Sequence, residues 1–280
     1  MTHRQARFLF GPLLLGAVVG LVWLDLNWHP VSTSIVAVAL ALVGLVEFTD
    51  HMSRGRIGRD VKATLLSGSL LFLVVVAALG DGWLAFAPAV LLGPACALMA
   101  RRWRAGPEAA DLDEIARCAL GLAIIVWPLG CLVALFRHVD NGVLFAVVVV
   151  VGSKLNDIGG YLVGSAIGRN KLCPGISPNK SWEGAIGGLV LGAAGTVLML
   201  LWIEPLAGMQ PLLATALFGL GLGLVTQAGD LFESLLKRSA DVKDSGALIP
   251  AFGGVLDLID SLIFAAPLGY AVGLHWLGPA

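Results

Sequence analysis

Apolar runs of 17 to 24 residues recur nine times along the chain, at residues 8–24, 32–48, 62–79, 83–99, 115–136, 142–163, 184–202, 211–231 and 253–276, with polar segments between them. A hydrocarbon core about 30 Å thick needs about 20 mostly apolar residues for each helical crossing. The pattern predicts an all-α polytopic integral membrane protein with about nine transmembrane helices. The first run is not expected to be a cleaved signal peptide, because no small-residue cleavage site follows Leu24 and further runs follow instead.

Composition agrees with that pattern. Hydrophobic residues are 58% of the 280, charged residues 13%, and the mean hydropathy is +0.88, far from the roughly 45–50% apolar and 25% charged of soluble domains. Charge placement then orients the chain. If the N-terminus is cytoplasmic, sixteen of the eighteen Lys and Arg fall in or beside inside segments, with only Arg137 outside and Lys154 within a run. The positive-inside rule therefore predicts a cytoplasmic N-terminus and an external C-terminus, with basic loops against anionic headgroups. The net charge of −1 says little beside this asymmetry, and nothing points to nucleic acid. Cys96, Cys118, Cys131 and Cys173 form no CxxC pair and read as small hydrophobes.

Polarity is uneven along the chain. Residues 1–150 read as transmembrane scaffold, and their polar stretch 104–114, "RAGPEAADLDE", as solvated surface. Residues 151–280 read as the catalytic region of one continuous membrane domain, with two cytoplasmic loops, 164–183 and 232–252, rich in Lys, Ser, Gly and Pro. In the sixth run Lys154 and Asp157 are opposite charges at membrane depth, where such groups pair or do chemistry. The following loop offers Arg169, Lys171, Ser177, Lys180, Ser181 and Glu183 among Gly and Pro turns. Ammonium charge, hydroxyls and exposed backbone N–H groups suit a nucleotide triphosphate, although a basic membrane-surface loop has the same composition.

Beyond the eighth run, Asp230, Glu233 and Lys237 share one helical face and Ser234 lies a turn from Arg238; a solvated helix end would look similar. Asp257 and Asp260 open the last run at i,i+3, after Gly253 and Gly254. One acid could serve as a partner of the helix dipole. Two at a membrane face repel each other, and a hard divalent cation such as Mg²⁺ is the simplest remedy.

Two long stretches resemble the phosphatidate cytidylyltransferases, the CDP-diacylglycerol synthases. Residues 234–261, "SLLKRSADVKDSGALIPAFGGVLDLIDS", resemble the family signature S-x-x-K-R-x4-K-D-x-G-x2-(L/I)-P-G-H-G-G-x-x-D-R-x-D, and residues 157–188, "DIGGYLVGSAIGRNKLCPGISPNKSWEGAIGG", resemble its upstream block. The resemblance implies that Asp230, Asp257 and Asp260 hold Mg²⁺, leaving room for a second, monovalent cation. It implies that Asp230 and Asp257 act in catalysis with Lys237 and Arg238, which handle phosphates together with Lys243 and Asp244, and that Ser177, Lys180 and Ser181 belong to the nucleotide region. Asp157, Arg169 and Ser234 complete the expected substrate contacts. Three positions depart: Ala251, Phe252 and Leu258 stand where the family pattern has Gly, His and Arg.

The activity implied is transfer of CMP from CTP to phosphatidic acid, giving CDP-diacylglycerol and pyrophosphate for phospholipid biosynthesis. It implies a bacterial inner-membrane enzyme whose active site faces the cytoplasm among membrane lipids, and it leaves a homodimer open. Two other classes fit parts of the pattern. A CTP-dependent lipid-alcohol kinase would use Asp157 as proton acceptor, and a secondary transporter would also place charge at membrane depth.

Overall fold

The computed structural model describes residues 16, 19–27, 31–79, 89–242, 245–246 and 253–280. In chain order the helices are α1 (Ser32–Glu47), α2 (Arg59–Ala78), α3 (Leu92–Arg102), α4 (Ala109–Gly121), α5 (Trp127–His138), α6 (Gly142–Ile167), α7 (Trp182–Trp202), α8 (Leu212–Ser239), α9 (Val255–Ile259) and α10 (Leu262–Leu277). Single π-helical turns continue α1 through Phe48–Met52 and join α4 to α5 through Leu122–Val126. Strands β1 (Lys171–Cys173) and β2 (Ser177–Ser181) form an antiparallel hairpin.

Among the described residues, six helical segments are long and apolar enough to cross a membrane: Ser32–Met52, Arg59–Ala78, Ala109–His138, Gly142–Ile167, Trp182–Trp202 and Leu212–Ser239. The protein is an all-α polytopic membrane protein. These six coincide with the second, third, fifth, sixth, seventh and eighth apolar runs. The first run falls largely outside the described residues, as do residues 83–88 of the fourth. The last run is not one helix. It breaks at Asp260 and Ser261, where the Asp260 carboxylate accepts the Ser261 N–H at 2.6 Å; such local bonds compete with the helical ladder.

Contacts within the chain divide it into two compact units, one of residues 1–134 and 240–258, the other of 135–239 and 259–280. In the first, α1 and α2 bury Ala41, Leu45, Leu65 and Leu73. The start of α1 is held by Asp25, whose carboxylate accepts the Ser32 and Thr33 N–H groups at 3.0 and 2.7 Å. Several basic residues of this unit are paired with acids: Lys62 with Asp50 at 2.5 Å, Arg101 with Asp60 at 3.0 Å and with buried Glu114, and Arg102 with Asp111 at 2.9 Å. The stretch expected to be plain solvated surface thus includes acids that tie one helix to the next.

The second unit carries the site, and glycine sets its geometry. Helices α6 and α7 approach so closely that a Cβ at Gly184 would lie 2.8 Å from the Gly160 carbonyl oxygen, and one at Gly159 would lie 2.9 Å from that of Gly187. Close backbone approach between small residues is how helices associate in lipid, where no hydrophobic gain drives them together. The opposite side of α7 exposes Trp182, Ile186, Val190, Leu198 and Trp202, a lipid-facing stripe at four-residue spacing. With Trp at each end and 21 residues between the bounds, α7 is about 31 Å long, one hydrocarbon thickness. Gly184→Ala is expected to lower stability by about 1–3 kcal/mol through overpacking. Gly221→Ala, where a Cβ would meet nothing within 4 Å, is expected to be neutral; melting temperatures of the two variants in detergent check the contrast.

Candidate active site

The loop expected at 164–183 is a pinned hairpin. Glu183 in the first turn of α7 accepts the Arg169 and Asn170 backbone N–H groups at 3.2 Å each and the Asn170 side-chain amide at 2.8 Å. Ser181, buried at the junction of β2 and α7, accepts the Gly184 N–H at 3.2 Å as an N-cap. The hairpin backbone thereby holds Lys180 beside α8, where its Nζ lies 3.1 Å from Asp230 Oδ2. A lysine held from both sides needs little reorganisation to meet an anion.

A second lysine sits on α6. Lys154 Nζ donates to Ser261 Oγ at 2.7 Å and to Asp157 Oδ2 at 3.3 Å, and lies 3.9 Å from Asp260 Oδ1. Three aspartates and two lysines therefore meet at one end of this unit, with the acids in the majority. Asp157 Oδ1 and Asp230 Oδ1 are buried and make no hydrogen bond among the described residues. Both side chains line a cavity of about 450 Å³ together with Asn156, Lys180, Ser181 and Gln227. Half-buried carboxylates that line a cavity, each with one oxygen that makes no hydrogen bond among the described residues, are equipped to bind a cation that arrives with its own ligands.

The other expected site residues are distributed as follows. Ser177 opens β2 opposite Cys173, and Arg169 lies exposed just before the hairpin. Ser234, Lys237 and Arg238 ride on the last turns of α8. In the Glu233–Lys237 pair, 2.5 Å apart, the carboxylate is buried and the lysine half-buried, so it is not a solvated helix end. Asp257 belongs to the other unit, where its Oδ2 accepts the Ser245 N–H at 3.0 Å, the Ser245 hydroxyl at 2.8 Å and the Gly254 N–H at 2.8 Å. Lys243 and Asp244 lie outside the described residues, as do Ala251 and Phe252; Leu258 is half-buried near the end of α9.

Among the lining residues missed from the sequence are Gln227 and Asn156. Gln227 donates to Asn156 Oδ1 at 3.1 Å and to the Ala185 carbonyl at 2.8 Å, so it ties α8 to both α6 and α7. The signal was present, since an amide in the interior of an apolar run is costly unless it is bonded or functional. It was outweighed by the charged residues nearby.

The family model for cytidylyltransferases matches residues 5–275. The chain belongs to the cytidylyltransferase family. A phosphatidate cytidylyltransferase of Brucella suis is 33% identical to this family member over 289 residues, covering 100% of the chain and 96% of the relative. One of Pseudomonas aeruginosa is 35% identical over 265 residues, covering 92% of the chain and 86% of the relative. The likeness to other cytidylyltransferases therefore extends across the N-terminal helices, which the quoted motifs do not reach.

Proposed function

We propose that this cytidylyltransferase moves CMP from CTP to phosphatidic acid, forming CDP-diacylglycerol and releasing pyrophosphate. The observation that carries the reading is the acid-rich cluster of Asp157, Asp230 and Asp260 with Lys154 and Lys180, of which Asp157, Asp230 and Lys180 line a cavity of about 450 Å³, in a chain akin over its length to phosphatidate cytidylyltransferases. A phosphate oxygen of the lipid attacks the α-phosphorus of CTP in line. The new P–O bond forms as the bond from the α-phosphorus to the α,β-bridging oxygen breaks, and pyrophosphate leaves with that electron pair. A phosphate monoester is already an anionic nucleophile near neutral pH, so no side chain has to remove a proton. The barrier lies in bringing two polyanions together, and positioned charge lowers it.

Each lysine has a distinct place in that task. Lys180 reaches across from the hairpin to α8 and can follow a phosphate without losing its anchor. Lys154 keeps Asp157 and Asp260 from repelling each other and supplies positive charge at the depth of the lipid headgroup. The N-terminus is proposed to be cytoplasmic, so that the hairpin and the end of α8 face the compartment that supplies CTP, in the bacterial inner membrane.

The donor set also fits Mg²⁺. Among the described residues no three His, Cys, Asp or Glu side chains form a protein-only cage. Mg²⁺ does not require one, since it usually takes one or two carboxylates with substrate phosphates. The unbonded Asp157 and Asp230 oxygens would hold it, with Asp257 and Asp260 proposed as further acids of the centre. When bound, the ion would neutralise phosphate charge as it develops.

The test uses purified protein, Mg²⁺, phosphatidic acid and CTP labelled at either the α- or the γ-phosphate. Label from the α position should enter a lipid-soluble product and label from the γ position should not, and EDTA should stop the transfer. Gamma label in the lipid would assign a kinase instead, and no labelled lipid from either would remove the reading.

A further inference from the structure

Helix α1, in the scaffold half of the chain, ends on an acid. Glu47 closes α1 with only 6% of its surface exposed. Its Oε2 accepts the Leu256 backbone N–H at 3.1 Å, across 209 positions of sequence. That N–H lies in the first turn of α9, where no intrahelical acceptor exists. Two glycine backbones close over the same carboxylate: a Cβ at Gly246 would lie 2.7 Å from Oε1, and one at Gly254 would lie 2.5 Å from Oε2. Fully buried Ser245 is part of the same arrangement, with its hydroxyl 2.4 Å from where a Gly254 Cβ would stand. Ser245 and Gly254 are the residues whose three donors orient Asp257 Oδ2.

A buried carboxylate is a poor way to gain stability, since desolvation opposes it and an apolar side chain would pack at lower cost. What it supplies is a fixed acceptor. We propose that Glu47 is a positioning residue for the transfer reaction, holding Gly246, Gly254 and the start of α9 so that Asp257 is presented in one orientation. The inference rests on the role proposed above for Asp257, and it adds a residue from the half of the chain that had been given no chemistry.

The test compares Glu47→Ala with Glu47→Gln in the full-length protein. Glu47→Gln keeps a carbonyl oxygen for the Leu256 N–H, and its kcat should fall no more than about three-fold, whereas in Glu47→Ala it should fall at least about ten-fold, the scale of a misplaced catalytic group. KM for CTP should stay within about two-fold in both variants, because the nucleotide contacts proposed on the hairpin are untouched. Hydrogen exchange of the peptide covering 253–258 should quicken in Glu47→Ala and not in Glu47→Gln. If Glu47→Ala does not yield folded protein, Glu47→Asp takes its place, since it keeps the charge but withdraws the acceptor by one methylene. Wild-type kcat in the folded Ala or Asp variant, or an equal loss in the Gln variant, would overturn the proposal. Asp257→Asn is assayed alongside: if it is fully active, the reading of Asp257 has failed first, whereas if it is inactive while Glu47→Ala is active, only the role of Glu47 is lost.

Discussion

Asp230→Asn is expected to lower turnover by about 100- to 1,000-fold, the scale seen when one positioned electrostatic group is removed from a transfer reaction. The substitution preserves volume and leaves an oxygen that can still accept from Lys180, now 3.1 Å from Asp230 Oδ2, so the fold should survive. What disappears is the negative charge and the second carboxylate oxygen, the buried Oδ1 that makes no hydrogen bond among the described residues. An amide nitrogen there would present its hydrogens to a cation. Transfer of α-label to lipid, read beside a melting curve in detergent, separates lost chemistry from lost structure. A well-folded Asp230→Asn protein with wild-type turnover would remove this residue from the reaction.

Lys180→Met is expected to cost about 100-fold in kcat/KM for CTP, much of it as a raised KM, because the charge acts on the bound nucleotide as well as on the developing leaving group. Met keeps an apolar stem of similar length and deletes only the ammonium. It also leaves Asp230 without its counter-ion, so the site becomes more acidic as it loses its phosphate donor. Lys180→Arg should recover only part of the loss, since a planar fork does not substitute for a point charge at the end of a short β-strand. Because Lys180 is proposed to meet the same phosphates as a cation held by Asp230, Lys180→Met combined with Asp230→Asn should cost much less than the product of the two single losses. Initial rates across a CTP concentration series for the three variants decide this. Unchanged KM and kcat in Lys180→Met would place the nucleotide elsewhere.

The membrane class was legible because the chain has few ways to place so many apolar residues. Six of the nine expected spans recur as long apolar helices. The hairpin was not foreseen: Gly, Pro, Asn and Ser in 164–183 read as an open loop, and the ladder between Lys171 and Ser181 depends on Glu183 and on the start of α7 to pin it. The broken last span was hidden for a related reason. Its hydropathy is continuous through Asp260 and Ser261, while the backbone turns there on a hydrogen bond between adjacent residues.

The site was legible in its residue types and not in its partners. Asp157, Asp230, Asp260, Lys154 and Lys180 stand out as charges in or beside greasy sequence, and two coinciding motifs pointed to phosphate chemistry. No spacing rule could say that Lys154 bonds Ser261, 107 positions away, or that Gln227 joins three helices.

Along the chain alone, then, apolar run length determined that the protein is helical and membrane-embedded, and two motifs that resemble a known family, set among acids and lysines, pointed to phosphate chemistry. Tertiary structure decided which lysine faces which aspartate, which carboxylate oxygens are left unused, and that Glu47 reaches the start of α9. The division has a physical cause. Transfer of a segment into lipid depends on local composition, whereas the pairing of buried charges depends on helix approach, and that approach is set by small residues such as Gly160 and Gly184, whose effect appears only when two distant segments meet.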